Sequence, residues 1–341
     1  MNWQFEPAWL ALAVVTGLLS YFSSGLVMKL AKKAGMIVQP GKRQSHAVAT
    51  PTGGGLGLMF SIVFMSLVLH LIHPLPGFWW WQMLPGIVLL VLIGWHDDKY
   101  PVSSLARLLV HLVASLWLLS FGLLQVSVYD AVLLAGAVLA MVWMMNLFNF
   151  MDGSNGMAGF QGVFAALAGA ILFYLAGQYA MSLLSITIAA ACVGFLPLNF
   201  PRARVFMGDV ASVPLGFTFA ALAVYGLHSG AIDWPVTILI MSVFIVDATL
   251  TLLARAIRGE RWYTAHAQHV YQRLIVHGWS HSRVLMVYQS INIVLVVPAI
   301  VLAEIFPHYA RLIAGLAFLL LGLCWQSANR RLGASAEELN T

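Results

Sequence analysis

The sequence has very little charge and almost no cysteine. Only 9% of its 341 residues are Asp, Glu, Lys or Arg, whereas 61% are hydrophobic, and the mean hydropathy is +0.88. This composition excludes a soluble domain, whose surface needs many more polar residues. Cys192 and Cys324 lie in separate apolar runs, which excludes a disulfide framework and a CxxC metal or redox site.

Long polar stretches are also absent. Apolar runs close to the ~20 residues needed to cross a bilayer recur along the whole chain. We therefore predict one all-α membrane domain over residues 1–341, a polytopic protein of about eleven transmembrane helices. The N-terminus lacks the basic region and cleavage site of a signal peptide, so we expect the first span to remain. The predicted spans lie near residues 8–29, 53–73, 79–95, 104–124, 131–148, 157–176, 180–198, 210–228, 234–254, 284–303 and 309–326.

Basic residues are distributed very unevenly over this topology. Of the 17 Lys and Arg residues, only Arg311 falls on the side opposite the others. The positive-inside rule assigns the basic side to the cytoplasm, so we predict a periplasmic N-terminus and a cytoplasmic C-terminus. The pI near 9.3 does not require nucleic acid as a partner, because the basic loops can meet anionic lipid headgroups or an anionic substrate.

Five polar segments fall on the predicted cytoplasmic side, at residues 30–55, 95–104, 146–159, 198–212 and 255–283. Each segment taken alone can be explained as a solvated or capping loop. Together they bring carboxylates, imidazoles, amides and glycine-rich turns to one face of the membrane. This placement indicates one shared site.

Asp97 and Asp98 form an acidic pair at the end of a hydrophobic helix. Ordinary solvated carboxylates are common at such a position. However, two adjacent carboxylates near a membrane repel each other unless a cation or a basic side chain compensates them. The pair is therefore also a candidate divalent-ion site or general base.

Asn149 and Asp152 lie three residues apart at the end of another predicted helix, and the glycine-rich stretch 153–159 follows. This spacing places both polar groups on one helical face. The glycines allow a ligand to approach the backbone closely, and the next helix can direct its first N–H groups toward a phosphate. The alternative is a glycine-rich turn that Asp and Asn cap.

Asp209 lies between the basic stretch PRAR (201–204) and an apolar helix. In the simplest explanation it pairs with Arg202 or Arg204. A carboxylate beside two guanidinium groups also suits a site for Mg²⁺ and a diphosphate, because Mg²⁺ binds one or two carboxylates together with phosphate oxygens.

His266 and His269 lie in the last polar segment, where HxxH spacing would place them on one helical face between arginines. Zinc is disfavoured because no further zinc-type ligand is adjacent and the arginines repel a cation. Phosphate binding fits better, and a solvated loop is the alternative.

Two further features bear on a polar site. Lys42 and His46 precede TPTGGG (50–55), and basic groups before a glycine run that opens a helix are typical of anion binding, although a flexible helix entry is the alternative. Asp247 lies inside the ninth predicted span. An ionisable residue there indicates function unless a neighbour such as Arg255 neutralises it.

In their order and spacing, these segments resemble the polyprenyl-phosphate N-acetylhexosamine-1-phosphate transferases, a family of bacterial membrane enzymes. Within that family the chain is closer to the enzymes that initiate O-antigen synthesis, because it lacks the compact triple-His signature of the muramoyl-pentapeptide transferases. The resemblance covers nearly the whole chain and rests on SHAVATPTGGG (45–55), HDD (96–98), NLFNFMDGSNGMAG (146–159), NFPRARVFMGD (199–209) and the Arg/His loop 255–274.

The resemblance implies that undecaprenyl phosphate attacks the β-phosphorus of a UDP-N-acetylhexosamine at the cytoplasmic face of the inner membrane, with Mg²⁺, or alternatively Mn²⁺, required. It implies that Asp209 and Asn149 hold the metal. It assigns a catalytic role to Asp152. It also implies that Asp97 and Asp98 interact with the lipid phosphate or act as a base. The implied substrate-binding residues are Asn149, Asn199, Arg204, Arg258, His266, His269, Lys42 and His46.

The chain departs from the family at Asn155, Ala211, Thr52 and Gln39, where many relatives have Asp, Gly, Arg and Asp. Asn155 disfavours a mechanism with two aspartates at that motif. Membrane lipids are a further expected partner, nucleic acid is not, and a homodimer stays open, as does the sugar. A transporter and a lipid-binding scaffold are the rival functions. A transporter is disfavoured because the ionisable groups cluster at one face instead of lining a path at the midplane.

Overall fold

The computed structural model describes residues 7–39, 49–120, 128–261 and 266–338. Within these ranges the chain is almost entirely helical, as its apolar composition predicts. The only strands there are two short ones, β1 (Ile37–Val38) and β2 (Thr50–Pro51), which pair antiparallel. The helices are α1 Pro7–Lys33, α2 Gly55–Ile72, α3 Leu84–Lys99, α4 Ser104–Ser120, α5 Val128–Met151, α6 Met157–Leu175, α7 Tyr179–Asn199, α8 Asp209–Ser229, α9 Trp234–Ile240, α10 Ser242–Ile257, α11 Val270–Val276, α12 His281–Ile291, α13 Val297–Ile305 and α14 Ala310–Glu338.

The polytopic architecture is confirmed. In the part of the chain that the structure describes, 9 helices are long and apolar enough to cross a membrane, or 10 if the bent pair α9 and α10 counts as one span. Helix α4 coincides with a further predicted span but is shorter, with 17 residues. Two spans contain π-helical turns, Trp79–Met83 before α3 and Asn292–Val296 between α12 and α13. Which end faces the cytoplasm stays a prediction.

The ninth span differs from the straight helix predicted over 234–254. Helices α9 and α10 meet at an angle of 76° around Met241. A break in a membrane helix leaves backbone groups unpaired unless a neighbour satisfies them. The side chain of Gln161 on α6 does so, because its amide donates to the Ile240 carbonyl over 3.1 Å. Hydropathy cannot reveal such a break, since the residues on both sides are apolar.

Helices α7 and α8 lie at the centre of the bundle, because 78% of the residues in the apolar 18-residue stretch of each are buried. Helices α1 and α14 lie at its edge, where the same fraction is 22% and 17%. Helices α3 and α5 both pack on α8. Several helices also extend beyond the predicted spans, because hydropathy marks the hydrocarbon layer and not the end of the helix. Because α3 and α5 both pack on α8, the N-terminus of α8 lies between their C-terminal ends.

Candidate active site

The polar segments converge around the N-terminus of α8. The glycine run contributes backbone pairing there, since Gly54 N–H donates to Phe206 O and Gly55 N–H to Met207 O, each over 3.0 Å, and Phe206 N–H donates to Pro51 O over 2.8 Å. These two glycine N–H groups are therefore already bonded. They cannot donate to an anion, while anion binding by Lys42 and His46 stays a prediction, because both residues lie outside the described residues.

Asp98 holds the start of α8. One carboxylate oxygen accepts the N–H of Asp209 at 3.0 Å, and the other accepts the N–H of Val210 at 3.2 Å. A carboxylate at a helix N-terminus satisfies N–H groups that have no partner within the helix and meets the positive end of the helix dipole. Asp98 thus acts as a cap supplied by another helix.

Two glycines make this contact between α3 and α8 possible. A Cβ on Gly94 would lie 2.5 Å from the Asp209 carbonyl oxygen, and a Cβ on Gly208 would lie 2.4 Å from the Asp98 carboxylate. Gly208 also has a φ of +79°, a backbone conformation that favours glycine. The FMGD motif therefore needs its glycine to bring Asp209 beside Asp98.

Arg107 on α4 links two of the predicted site carboxylates. Its guanidinium lies 3.0 Å from the Asp97 carboxylate and 3.4 Å from the Asp209 carboxylate. Asp97 also accepts the N–H of Val102 over 2.6 Å. The alternative in which Asp209 pairs with Arg202 or Arg204 is wrong, because Asp209 pairs with Arg107 and both other arginines are exposed.

Asn149 brings the end of α5 to the same point. Its amide nitrogen donates to the Asp209 carboxylate over 2.6 Å and to the Ser212 hydroxyl over 3.1 Å. The two residues that the resemblance assigns to the metal are therefore in direct contact. Asp209 lies between an amide on one side and a guanidinium on the other.

Asp152 completes the acidic group in the turn between α5 and α6. Its carboxylate accepts the N–H of Gly208, and burial raises its pKa well above the usual range, with further increases from the nearby charges of Asp209 and Asp98. Four carboxylates thus lie close together with one guanidinium. This excess of negative charge favours binding of a cation.

A small cavity lies on the membrane side of this group. It is bordered by Asp97, Arg107, His111 and Asp209 together with apolar residues of α3 and α8. His111 is buried, and its Nδ1 atom has no hydrogen-bond partner in the described structure. Arg107 and His111 were missed as site residues. Their spacing of four on the helix that follows the acidic pair could have indicated them.

Asn199 bonds to backbone groups of two neighbouring segments, and its role in substrate binding stays a prediction. It is buried, its amide oxygen accepts the N–H of Gly156 over 2.7 Å, and its amide nitrogen donates to the Val205 carbonyl over 3.0 Å. Asn155 donates to the Pro201 carbonyl over 3.1 Å. These two side chains join the glycine-rich turn to the segment before α8. The hydrogen bonds fix the conformation of the turn and of the segment.

The arginine-rich loop after α10 contains an acidic residue that the sequence analysis overlooked. Glu260 pairs with Arg255 at 2.8 Å and with Arg258 at 2.6 Å. Arg258 also donates to Gln268 over 2.9 Å, and its side chain is 48% exposed. The suggestion that Arg255 neutralises Asp247 is wrong, because Arg255 pairs with Glu260.

His266 and His269 lie together but not on a helical face. Helix α11 begins only at Val270, after His269, yet the two imidazole rings are 4.9 Å apart. Burial, the neighbouring His269 and the charge of Arg255 lower the pKa of His266 to about 4. Burial also lowers the pKa of His269, while Asp247 opposes that effect. Both rings are therefore neutral at pH 7.

Among the residues that the structure describes, no group of three or more His, Cys, Asp and Glu side chains surrounds a point where a metal could bind. A closed protein cage is therefore not present there, but Mg²⁺ needs only one or two carboxylates when phosphate oxygens complete its shell. Asp209 with Asn149 fits that pattern. Lys42 and His46 lie outside the described residues.

Several known bacterial proteins are similar to this chain over more than 80% of its length. A probable undecaprenyl-phosphate N-acetylglucosaminyl 1-phosphate transferase of Bacillus subtilis is 27% identical, with 81% of this chain and 80% of that protein covered. The undecaprenyl-phosphate alpha-N-acetylglucosaminyl 1-phosphate transferase of Yersinia pestis is 28% identical, with 89% and 87% covered. The decaprenyl-phosphate N-acetylglucosaminephosphotransferase of Mycobacterium tuberculosis is 29% identical, with 84% and 80% covered.

The sequence profile of glycosyl transferase family 4 matches residues 80–227. This range contains the acidic pair of α3, Arg107, the turn with Asn149 and Asp152, and Asp209. The part of the chain that builds the carboxylate group is thus the part that the profile matches. Over residues 80–227, which are fewer than half of the chain, this protein is therefore similar to glycosyl transferase family 4.

Proposed function

We propose that this protein transfers N-acetylhexosamine-1-phosphate from a UDP-sugar to undecaprenyl phosphate, with release of UMP. One observation supports this most directly. Asp97, Asp98, Asp152 and Asp209 meet at the ends of apolar helices, on the same side as the His266–His269 pair. A site there can meet both a lipid phosphate and a water-soluble nucleotide.

In the proposed reaction, an oxygen of the lipid phosphate attacks the β-phosphorus of the UDP-sugar. A new phosphorus–oxygen bond forms, and the bond from the β-phosphorus to the bridging oxygen breaks, so that UMP leaves with the electron pair. A phosphate monoester is already largely ionised at pH 7, so a general base is of secondary importance. Positioning and charge neutralisation are therefore the main tasks of the protein.

We propose that Asp209 and Asn149 hold Mg²⁺, with Mn²⁺ as an alternative. When bound, the ion would neutralise charge on the diphosphate and stabilise the leaving UMP. The excess of carboxylates over guanidinium groups supports this assignment. Arg107 is placed to orient Asp97 and Asp209, and it lies beside the cavity that faces the membrane.

The arrangement disfavours Asp98 as the base. Both of its carboxylate oxygens already accept backbone N–H groups of α8. Asp97 has one oxygen on Val102 N–H and the other on Arg107. Asp98 is therefore assigned a structural role, and Asp97, whose two oxygens are also bonded, is assigned the role of orienting Arg107 toward the lipid phosphate.

The names of the relatives support N-acetylglucosamine as the first sugar to test, with N-acetylfucosamine and N-acetylquinovosamine as further candidates. These sugars differ by a hydroxyl group or its orientation, which the geometry of the pocket decides. We also propose that the product starts O-antigen or another cell-surface polysaccharide, and that the site faces the cytoplasm of the inner membrane.

The test is to incubate membranes with undecaprenyl phosphate and a panel of UDP-sugars and to measure UMP release. We expect release that requires both substrates and a divalent cation, and we expect membranes that contain the Asp209→Asn variant to release at most background UMP. If no UDP-sugar leads to UMP release and the vesicles take up substrate, the result would favour a transporter instead.

A further inference from the structure

Asp247 is a carboxylate that no step of the proposed reaction uses. It lies on α10 with 3% exposure, and its oxygens accept hydrogen bonds from the Tyr288 hydroxyl at 2.6 Å, Val270 N–H at 2.9 Å and the Thr251 hydroxyl at 3.2 Å. A buried carboxylate in a membrane helix is stable only when its oxygens are paired. Here α10, α11 and α12 all contribute partners.

The bond to Val270 fixes the start of α11. Val270 is the first residue of that helix, so Asp247 satisfies an N–H group that has no partner within it. His269 comes directly before Val270, and its ring stacks on the ring of Tyr271 with centroids 5.9 Å apart. Asp247 therefore helps to position His269, the residue directly before the helix.

Tyr271 extends this contact to the carboxylate group. Its hydroxyl donates to the Phe150 carbonyl over 2.7 Å, and Phe150 lies between Asn149 and Asp152. A Cβ on Gly153 would lie 2.2 Å from the same hydroxyl. The turn with Asn149 and Asp152 thus lies directly on Tyr271. A continuous series of contacts joins the buried carboxylate of α10 to the site.

We propose that Asp247 and Tyr271 are positioning residues that hold the loop 266–269 at a fixed place relative to Asn149 and Asp152. The inference rests on the proposed function and on His266 and His269 of this loop binding the nucleotide sugar, as the family resemblance implies. If the loop moves away, the nucleotide sugar binds more weakly and its β-phosphorus lies further from the lipid phosphate. Binding of the lipid phosphate itself is unaffected.

This role differs measurably from a contribution to folding alone. A variant that merely folds less well contains less active enzyme, which lowers kcat and leaves both KM values unchanged. A variant that loses positioning has a higher KM for the nucleotide sugar, while the KM for undecaprenyl phosphate stays the same.

Tyr271→Phe is the sharpest variant, because it removes one hydroxyl and keeps the ring that stacks on His269. A lost hydrogen bond of about 1 kcal/mol corresponds to about a fivefold rise in the KM for UDP-N-acetylglucosamine. Asp247→Asn is expected to act in the same direction. The matched control is Tyr225→Phe, which removes a hydroxyl bonded to Gln178 over 3.2 Å, near the other end of α8.

An unchanged KM for the nucleotide sugar in Tyr271→Phe and Asp247→Asn overturns the proposal, as does a fall in kcat with both KM values unchanged. If the wild-type protein releases no UMP, the proposed function has failed instead. Trypsin cleavage of purified protein then tests the positioning separately. We expect faster cleavage within residues 258–273 in Tyr271→Phe than in Tyr225→Phe, and equal rates overturn the proposal.

Discussion

Replacing Asp98 tests how the α3 and α8 helices build the site. The carboxylate accepts the N–H groups of Asp209 at 3.0 Å and Val210 at 3.2 Å, and a hydrogen bond to a charged group contributes about 1.5–3 kcal/mol. We expect Asp98→Ala, which removes both bonds, to destabilise the protein by about 3 kcal/mol or more. Asp98→Asn keeps one acceptor oxygen and should cost about half as much.

Thermal unfolding of the purified protein in detergent measures this difference. For a chain of this length a loss of about 3 kcal/mol corresponds to a fall in Tm of about 4 °C, and the order of stability should be wild type, Asp98→Asn, Asp98→Ala. The matched control is Asp233→Asn, since Asp233 is exposed before α9 and makes no side-chain cap bond. If Asp98→Ala unfolds at the wild-type temperature, Asp98 does not hold α8 in the way described.

Three further predictions concern the metal, the histidines and the topology. Asp209→Asn should reduce UMP release at least ~100-fold at normal expression. EDTA should reduce the activity of the wild-type protein to the same extent until Mg²⁺ is restored. Activity near the wild-type level in either experiment contradicts the metal assignment. Because burial lowers the pKa of His266 to about 4 and also lowers the pKa of His269, both rings should stay neutral through the usual range of histidine titration. The dependence of kcat/KM on pH for the nucleotide sugar should therefore show no transition near 6.5 from them, and such a transition that disappears in His266→Gln would refute this. Reporters fused near residue 265 or after residue 341 should be cytoplasmic, and a periplasmic signal at either place would overturn the orientation.

Most helices could be predicted from the sequence because their apolar runs are long and the alternative of exposing them to water is so unfavourable. The break at Met241 could not, because it depends on the side chain of Gln161 from another helix. The same holds for Asp98, whose role as a cap depends on the packing of Gly94 against Asp209. Contacts between helices are decided by shape, which a hydropathy pattern does not contain.

The pairing of charges was also only partly predictable. Sequence proximity suggested Arg202 or Arg204 for Asp209, yet Arg107 is 102 positions away in the chain. Proximity also suggested Arg255 for Asp247, but Glu260 binds that arginine instead. That the polar segments would meet was predictable, because one membrane face offers few places for them. Which side chains touch there depends on the ends of particular helices.

The two halves of the site are built in different ways, and this predicts how substitutions will act. The carboxylates of α3 and α8 are fixed by glycine contacts and backbone hydrogen bonds between membrane helices. The loop 266–269 is joined instead to the end of α5, where the Tyr271 hydroxyl bonds to the Phe150 carbonyl, and His281 bonds to the Ser154 hydroxyl over 2.9 Å in the turn that follows. Because these contacts are made by side chains outside the carboxylate group, their loss should change how the nucleotide sugar binds and leave that group intact. Loss of a glycine contact should instead displace Asp209 itself, and no increase in nucleotide-sugar concentration could then restore the rate.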